Sequence, residues 1–132
     1  MKSKSIPFNT NIIVREGLEE DDEIALQTEV DILSQLDHPN AVKLYEIFDD
    51  ENHFFLVMEL LSGGELFDRI VEKENYSEKE ASDTIRPIVD AIRYCHSIGV
   101  IHRDLKPENL IYLSDEEGAP LKITDFGVAR FM

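Results

Sequence analysis

Apolar residues recur along this chain with two periods, and the period decides each predicted element. Ile12, Ile13 and Val14 form a β-branched run that reads as a short strand. From Ile24 onward, Leu26, Val30, Leu33 and Leu36 recur every three to four positions, which predicts a helix with one buried stripe. The acids Glu19 to Glu23 just before it read as a solvated face or a helix start, where carboxylates meet the positive end of the dipole. Asp37-His38-Pro39-Asn40 stops the helix, because a residue before proline avoids helical angles. Val42 to Phe48 alternates, Asp49 to Asn52 is turn material, and His53 to Leu60 resumes as strand, so the three predict a hairpin. Ser62-Gly63-Gly64 breaks the pattern, and Glu65 to Ile70 starts a second helix. Ser77 and Glu80 form a capping box ahead of a helix with Ala81, Ile85, Ile88, Val89, Ile92 and Cys95 on one side. Pro87 lies inside it and is expected to bend it, and Ile98-Gly99 ends it. Leu110 to Leu113 and Leu121 to Thr124 read as two strands around a polar loop.

The first part is thus strand, helix, strand, strand, and the second is mostly helical, an α+β chain with Gly63-Gly64 between two packed lobes. Residues 1–10 carry little pattern, 11–61 make the first unit, and 62–132 the second. With 132 residues, 42% hydrophobic and 31% charged, the chain has material for one core. Its net charge of −15 argues against nucleic acid or an anionic membrane as the main partner, since both share its sign. The run Phe54-Phe55-Leu56-Val57-Met58 is far too short to span a bilayer. Met1-Lys2-Ser3-Lys4 is not followed by an apolar signal region. A single cysteine, Cys95, allows no internal disulfide and fits a reducing compartment. The expected setting is intracellular: the cytoplasm, with the nucleus also open.

Candidate chemistry is concentrated between Val100 and Gly127. Pairing the two late strands with Leu113 opposite Leu121 places Asn109 opposite Asp125. Side chains directly across an antiparallel pair have Cβ atoms about 4.5–5.5 Å apart. An amide and a carboxylate at that spacing can hold a hard cation such as Mg²⁺, which completes its shell with phosphate oxygens and water. Asp104, on the loop leading to Asn109, reaches the same space without being a ligand. One carboxylate for a proton and an oxygen pair for a metal are what phosphoryl transfer requires.

His102-Arg103-Asp104-Leu105-Lys106-Pro107-Glu108-Asn109 followed by Asp125-Phe126-Gly127 resembles the catalytic loop and metal motif of protein kinases. The Lys106-Pro107-Glu108 form is similar to serine/threonine kinases, and Gly63-Gly64-Glu65-Leu66-Phe67-Asp68-Arg69-Ile70 to the calcium/calmodulin-dependent and calcium-dependent groups. The resemblance runs from about Ile12 to Arg130. It implies a kinase-like fold comprising part of a small lobe and hinge, and the start of a large lobe. It also implies ATP and Mg²⁺ as cofactors and a Ser/Thr-bearing protein substrate with a basic upstream residue. By the same resemblance Asp104 orients the substrate hydroxyl, Lys106 stabilises phosphate charge, and Asn109 and Asp125 hold magnesium. Glu59 and Leu61 would bind adenine through hinge backbone, Leu66, Leu110 and Tyr112 would lie near the adenine floor, and Glu65 would meet ribose or a basic substrate residue. His102 reads as a packed residue forming, with Phe126, Leu33 and Leu44, a hydrophobic spine.

Three departures from the family pattern alter those expectations. No glycine precedes Gly17, so the family's phosphate-covering glycine loop has no counterpart. Its strand lysine falls at Asn11, which is neutral and short, so the link from phosphates to the helix glutamate, here Glu29, is lost. Arg15 is about 13 Å further along the strand and cannot replace it, and Asn9 stands where a small apolar residue is expected over adenine. The chain stops just after the Asp-Phe-Gly motif, so it is expected to be a catalytic-domain fragment, inactive alone, with the Ser77–Ile98 helix partly wet on its apolar side. The alternative is a kinase-like module that binds a partner without catalysis. No Asp-x-Asp-x-Asp-Gly loop occurs, so calcium or calmodulin regulation is not encoded in these residues.

Overall fold

The computed structural model describes residues 8–73 and 75–132. The expected patternless start at residues 1–7 lies outside the described residues. Residues 8–10, read as patternless, are strand: β1 runs Phe8–Val14. It pairs antiparallel with β3, His53–Glu59, with Asn11 opposite Leu56 and Asn9 opposite Met58. On the other side β3 carries β2, Leu44–Asp49, giving a three-stranded sheet in the order β1-β3-β2. A bulge between Leu44 and Glu46 interrupts the β2 register. β2 starts later than the alternation from Val42 suggests, because Val42 is taken elsewhere, its N–H donating to the Ile123 carbonyl at 2.9 Å.

Helix α1 spans Glu20–Gln35, so the acid run is its first turn. The Asp22 carboxylate accepts from the Glu19 N–H at 3.3 Å, and Glu20 to Glu23 sit at the dipole's positive end. Its buried residues are Ile32 and Leu33, and Leu36 just beyond its end is also buried. Helix α2 spans Leu66–Glu72 and α3 spans Glu78–Ser97. The Ser77 side chain accepts from the Glu80 N–H at 3.1 Å, while the Glu80 carboxylate pairs with Lys73 at 2.7 Å. Gly99, at φ +80°, takes the left-handed turn that ends α3. α3 buries Ile88, Ala91 and Cys95 but leaves Ile85 and Val89 exposed, Val89 by 57%, so its apolar side is partly in water. Burial pushes the Cys95 thiol pKa up, so this cysteine packs and does not react.

Four short strands complete the chain: β4 Val100–Ile101, β5 Leu110–Tyr112, β6 Leu121–Ile123 and β7 Arg130–Phe131. β4 pairs with β7 and β5 with β6. β6 also meets the segment after α1: its Ile123 N–H donates to Asn40 at 2.8 Å, and Asn40 Nδ2 donates to the Leu121 carbonyl at 2.8 Å. One continuous core joins the small sheet and the helical part, through Leu33, Leu36, Val42, Leu56, Leu121, Ile123 and Phe126. No described helix is long and apolar enough to cross a membrane.

Gly63 sits where the chain passes from sheet to helices. Its N–H donates to the Tyr112 carbonyl at 2.9 Å, laying residues 62–65 against β5. A β-carbon there would lie inside contact distance of the Ser114 carbonyl and 2.6 Å from Tyr112 Cβ. Both obstacles are rigid, so Gly63→Ala is expected to cost about 1–3 kcal/mol by forced displacement of β5. A denaturant midpoint measured against the parent would show it, and an unchanged midpoint would contradict it.

Candidate active site

The loop between β4 and β5 is held by its histidine. His102 is buried and meets Phe126 edge-on, with ring centroids 4.7 Å apart. Its Nδ1 accepts from the Asp104 N–H at 3.1 Å, so Nε2 carries the proton donated to the Thr124 carbonyl at 2.9 Å. The ring is therefore neutral and spent on two backbone groups, which suits a packed residue and not an acid or base. Arg103 has φ +69°, strain that a side chain tolerates only where its surroundings enforce it. Its Nε donates to the Val128 carbonyl at 2.8 Å, so both ends of the 124–128 segment are tied to this loop.

Asp104, half-buried, follows. Lys106 Nζ lies 3.6 Å from its Oδ2. A single 3-10 turn, Pro107–Asn109, then buries Asn109, whose Nδ2 donates to the Asp104 carbonyl at 2.7 Å. That bond fixes the amide's orientation and leaves its oxygen unengaged. No fully buried side-chain nitrogen or oxygen among the described residues lacks a partner, so this oxygen opens to the cleft.

The hairpin register differs by one residue from the sequence expectation. Leu110 faces Ile123 and Tyr112 faces Leu121. Asn109 therefore meets Thr124, whose N–H donates to its carbonyl at 2.9 Å, and not Asp125. The polar loop closes one residue tighter, with the Leu113 N–H on the Pro120 carbonyl at 3.0 Å. Asp125 lies next to Asn109's partner and turns by a left-handed residue, φ +59°. Its Oδ1 accepts from the Gly127 N–H at 3.4 Å. A β-carbon on Gly127 would lie 3.3 Å from Asp125 Oδ1 and 3.9 Å from Glu29 Oε1, so both carboxylates flank that glycine. Among the described residues no three His, Cys, Asp or Glu side chains converge into a metal cage. An amide oxygen and a carboxylate without a cage fit magnesium, which takes one or two protein oxygens and completes its shell from phosphate and water.

Burial raises the Glu29 carboxyl pKa above its ordinary value, and the Asp125 carboxylate raises it further. The folded chain therefore holds more protons than the unfolded chain between the two values, and stability falls as pH rises through that window. Glu29→Gln is expected to raise the thermal midpoint by a few degrees at pH 7 in metal-free buffer. The gain should disappear below the ordinary carboxylate range, and a loss at pH 7 would contradict the sign.

At the other end of the cleft, Glu59 and Leu61 lie where β3 gives way to the segment against β5. The Glu59 N–H is taken by the Lys43 carbonyl at 2.8 Å, so only its carbonyl is left to meet a base. Its carboxylate pairs with Lys122 Nζ at 3.2 Å, both side chains deeply buried. Glu65 precedes α2 with no side-chain capping bond and bridges to Ile111 of β5 through its backbone. Leu110 is not on the cleft face. It lines a cavity with Leu66, Phe67, Ile70 and Ile85, and Tyr112 lies under the Arg69 guanidinium, 3.7 Å from the ring centroid. Both therefore face α2 and α3, and Leu66 goes with them. Strand alternation puts the half-buried Ile111 on the opposite, cleft-facing side. Sequence reasoning missed Ile111, although the period-two rule was enough to separate it from its neighbours.

Asn11 Nδ2 donates to the Met58 sulfur at 3.5 Å, and Asn9 Nδ2 donates to Asn11 Oδ1 at 3.5 Å. Arg15 is committed to the far end of the hairpin. Its NH1 donates to the Asp50 carbonyl at 2.7 Å, and its guanidinium covers the Phe54 ring at 4.3 Å.

Residues 4–132 match the family described as the protein kinase domain. Calcium/calmodulin-dependent protein kinase type 1 of Macrobrachium nipponense is 52% identical over 108 residues, covering 82% of this chain and 31% of that protein. Human calcium/calmodulin-dependent protein kinase type IV is 50% identical over 111 residues, 84% of this chain and 24% of its own. Myosin light chain kinase A of Dictyostelium discoideum is 46% identical over 125 residues, 95% of this chain and 42% of its own. The chain thus spans less than half the length of each of these curated relatives.

Proposed function

The chain belongs to the protein kinase family, and from that premise we propose that the protein carrying it transfers the γ-phosphoryl group of MgATP to serine or threonine hydroxyls of proteins. The observation that carries the reading is the clamp on the catalytic loop: one amide, Asn109, holds the Asp104 carbonyl at 2.7 Å while Lys106 stands 3.6 Å from the Asp104 carboxylate.

Asp104 accepts the hydroxyl proton as the new oxygen–phosphorus bond forms and the bond to the ADP oxygen breaks. Lys106 meets the charge that spreads over the transferring oxygens. Asn109 and Asp125 offer the amide and carboxylate oxygens for magnesium, which when bound would neutralise phosphate charge. Glu59 and Leu61 contact adenine through backbone groups, with Ile111 as the floor. Glu65 meets ribose or a basic residue upstream of the acceptor, in keeping with the net charge of −15. The relatives' names make calcium/calmodulin dependence a proposal for this protein too, acting through sequence other than these residues. The proposed setting is intracellular.

A second reading, partner binding without catalysis, is favoured by Asn11, a neutral amide on the sheet wall of the cleft that is bonded to the Met58 sulfur. Radiolabel transfer from MgATP to a Ser/Thr peptide with an upstream arginine separates the two. Transfer by the protein carrying this chain supports the first, and its absence under conditions where MgATP binds supports the second.

A further inference from the structure

Resting on the nucleotide reading above, we infer that Arg69 is a positioning residue for the nucleotide: it clasps residues 62–64 to β5 and so sets the gap in which the base is held. Helix α2 has only seven residues, too few to be stable through its own hydrogen bonds, so tertiary ties must place it. Leu66 anchors its first turn in the core. Arg69, three residues on, reaches out of the helix. Its Nη2 donates to the Ser114 carbonyl at 2.7 Å and to the Gly63 carbonyl at 3.3 Å. The same guanidinium lies 3.7 Å from the centroid of the Tyr112 ring. One half-buried cation thus joins the chain leaving the sheet, the end of β5, and α2. A guanidinium suits the place, because its plane stacks on the ring while its donors stay free at the edge.

The clasp closes a short backbone ladder. The Ser62 N–H donates to the Leu113 carbonyl at 3.1 Å, the Gly63 N–H to Tyr112 at 2.9 Å, and the Tyr112 N–H back to Gly64 at 2.9 Å. Each side of this ladder carries one member of the proposed base site. Leu61 immediately precedes Ser62, and Ile111 immediately precedes Tyr112. Glu65 bridges back to Ile111 and closes the same loop. The distance from the Leu61 backbone to the Ile111 side chain is therefore a property of the ladder. Arg69 lies on the Tyr112 side of β5, which alternation puts opposite to Ile111, so it acts on the base through the ladder. The catalytic loop has its own ties, His102 to Thr124 and Asn109 to the Asp104 carbonyl. Loss of the clasp should then fall on nucleotide affinity and spare the transfer step.

The test compares Arg69→Gln and Arg69→Lys with the parent in the protein carrying this chain, below each variant's thermal midpoint. Peptide phosphorylation is measured with ATP varied, and MgATP binding by calorimetric titration. Arg69→Gln is expected to raise both the KM for ATP and the Kd about tenfold, with kcat within about twofold of the parent. Arg69→Lys keeps the charge but loses the plane and the fork, so its rise should be about threefold. Parent-like affinity in Arg69→Gln, whatever its midpoint, would overturn the inference and leave the nucleotide reading intact. A fall in kcat with affinity unchanged would do the same. If Arg69→Gln does not fold, Arg69→Lys decides, and parent-like affinity there overturns the inference. Should the parent bind MgATP without transfer, the titration decides alone by the same factors. Failure of the parent to bind MgATP would overturn the nucleotide reading and the inference with it.

Discussion

Asp104→Ala is expected to lower the rate of phosphoryl transfer by about 10²–10⁴-fold, the usual contribution of a positioned proton acceptor. The loss should fall on kcat, with nucleotide affinity and thermal midpoint close to those of the parent. The structure separates these effects. Among the described residues the Asp104 carboxylate makes only long contacts, 3.5 Å to Asn109 Nδ2 and 3.6 Å to Lys106. The bond that anchors Asn109 uses the Asp104 backbone carbonyl, which alanine retains. His102 likewise receives the Asp104 backbone N–H, so the ring and its bond to Thr124 survive. Asn109→Ala is the contrasting variant, because it removes a buried amide that braces the loop. The measurement is steady-state phosphorylation of a peptide by the protein carrying this chain, with calorimetric MgATP binding in parallel. An Asp104→Ala variant that turns over within a few-fold of the parent would remove Asp104 from the chemistry.

Much of this site was legible in the sequence because its parts are local. The eight residues from His102 to Asn109 carry loop, turn and side chains in one stretch. The structure brings Asp104, Lys106 and Asn109 together there. The helices were legible for the same reason: Ser77 starts α3 and Gly99 ends it by local geometry. What could not be read depends on contacts between distant segments. Alternation in Leu110-Ile111-Tyr112 showed two faces but not which met the cleft; Arg69 stacking on Tyr112 decides that. The β5–β6 register turned on one bond in the polar loop, Leu113 to Pro120, which period-two patterning cannot count. The pairing of β4 with β7 rests on strands of two residues, too short for any pattern. Asp125 reaches the site through a left-handed residue that is neither glycine nor asparagine, a strain that only the folded surroundings explain.

The buried pair of Glu59 and Lys122 carries the largest expected effect on stability. Their side chains are 13% and 8% exposed, and Nζ lies 3.2 Å from both carboxylate oxygens. Apart from that ammonium, the carboxylate has the Lys43 N–H at 3.3 Å. Lys122→Met keeps most of the side chain's volume and removes its charge. It strands a carboxylate in the core, which costs about 3–5 kcal/mol. Against a total of about 5–15 kcal/mol for a domain, that is a large fraction, and the thermal midpoint should fall by roughly 10 °C or more. The double variant Glu59→Leu with Lys122→Met removes both charges and replaces them with apolar volume, so it should lie within about 1–2 kcal/mol of the parent. The coupling between the two sites, read from a double-mutant cycle in denaturant, is therefore expected to be large and of rescuing sign. Equal losses in the single and double variants would instead mean that the ion pair itself stabilises this core. A Lys122→Met variant as stable as the parent would mean that water reaches Glu59 freely. The pair joins the strand end where the base is proposed to bind to the strand that leads, three residues later, into Asp125. A stable double variant would then allow nucleotide and metal binding to be measured without that ionic tie, which no single substitution at either position permits.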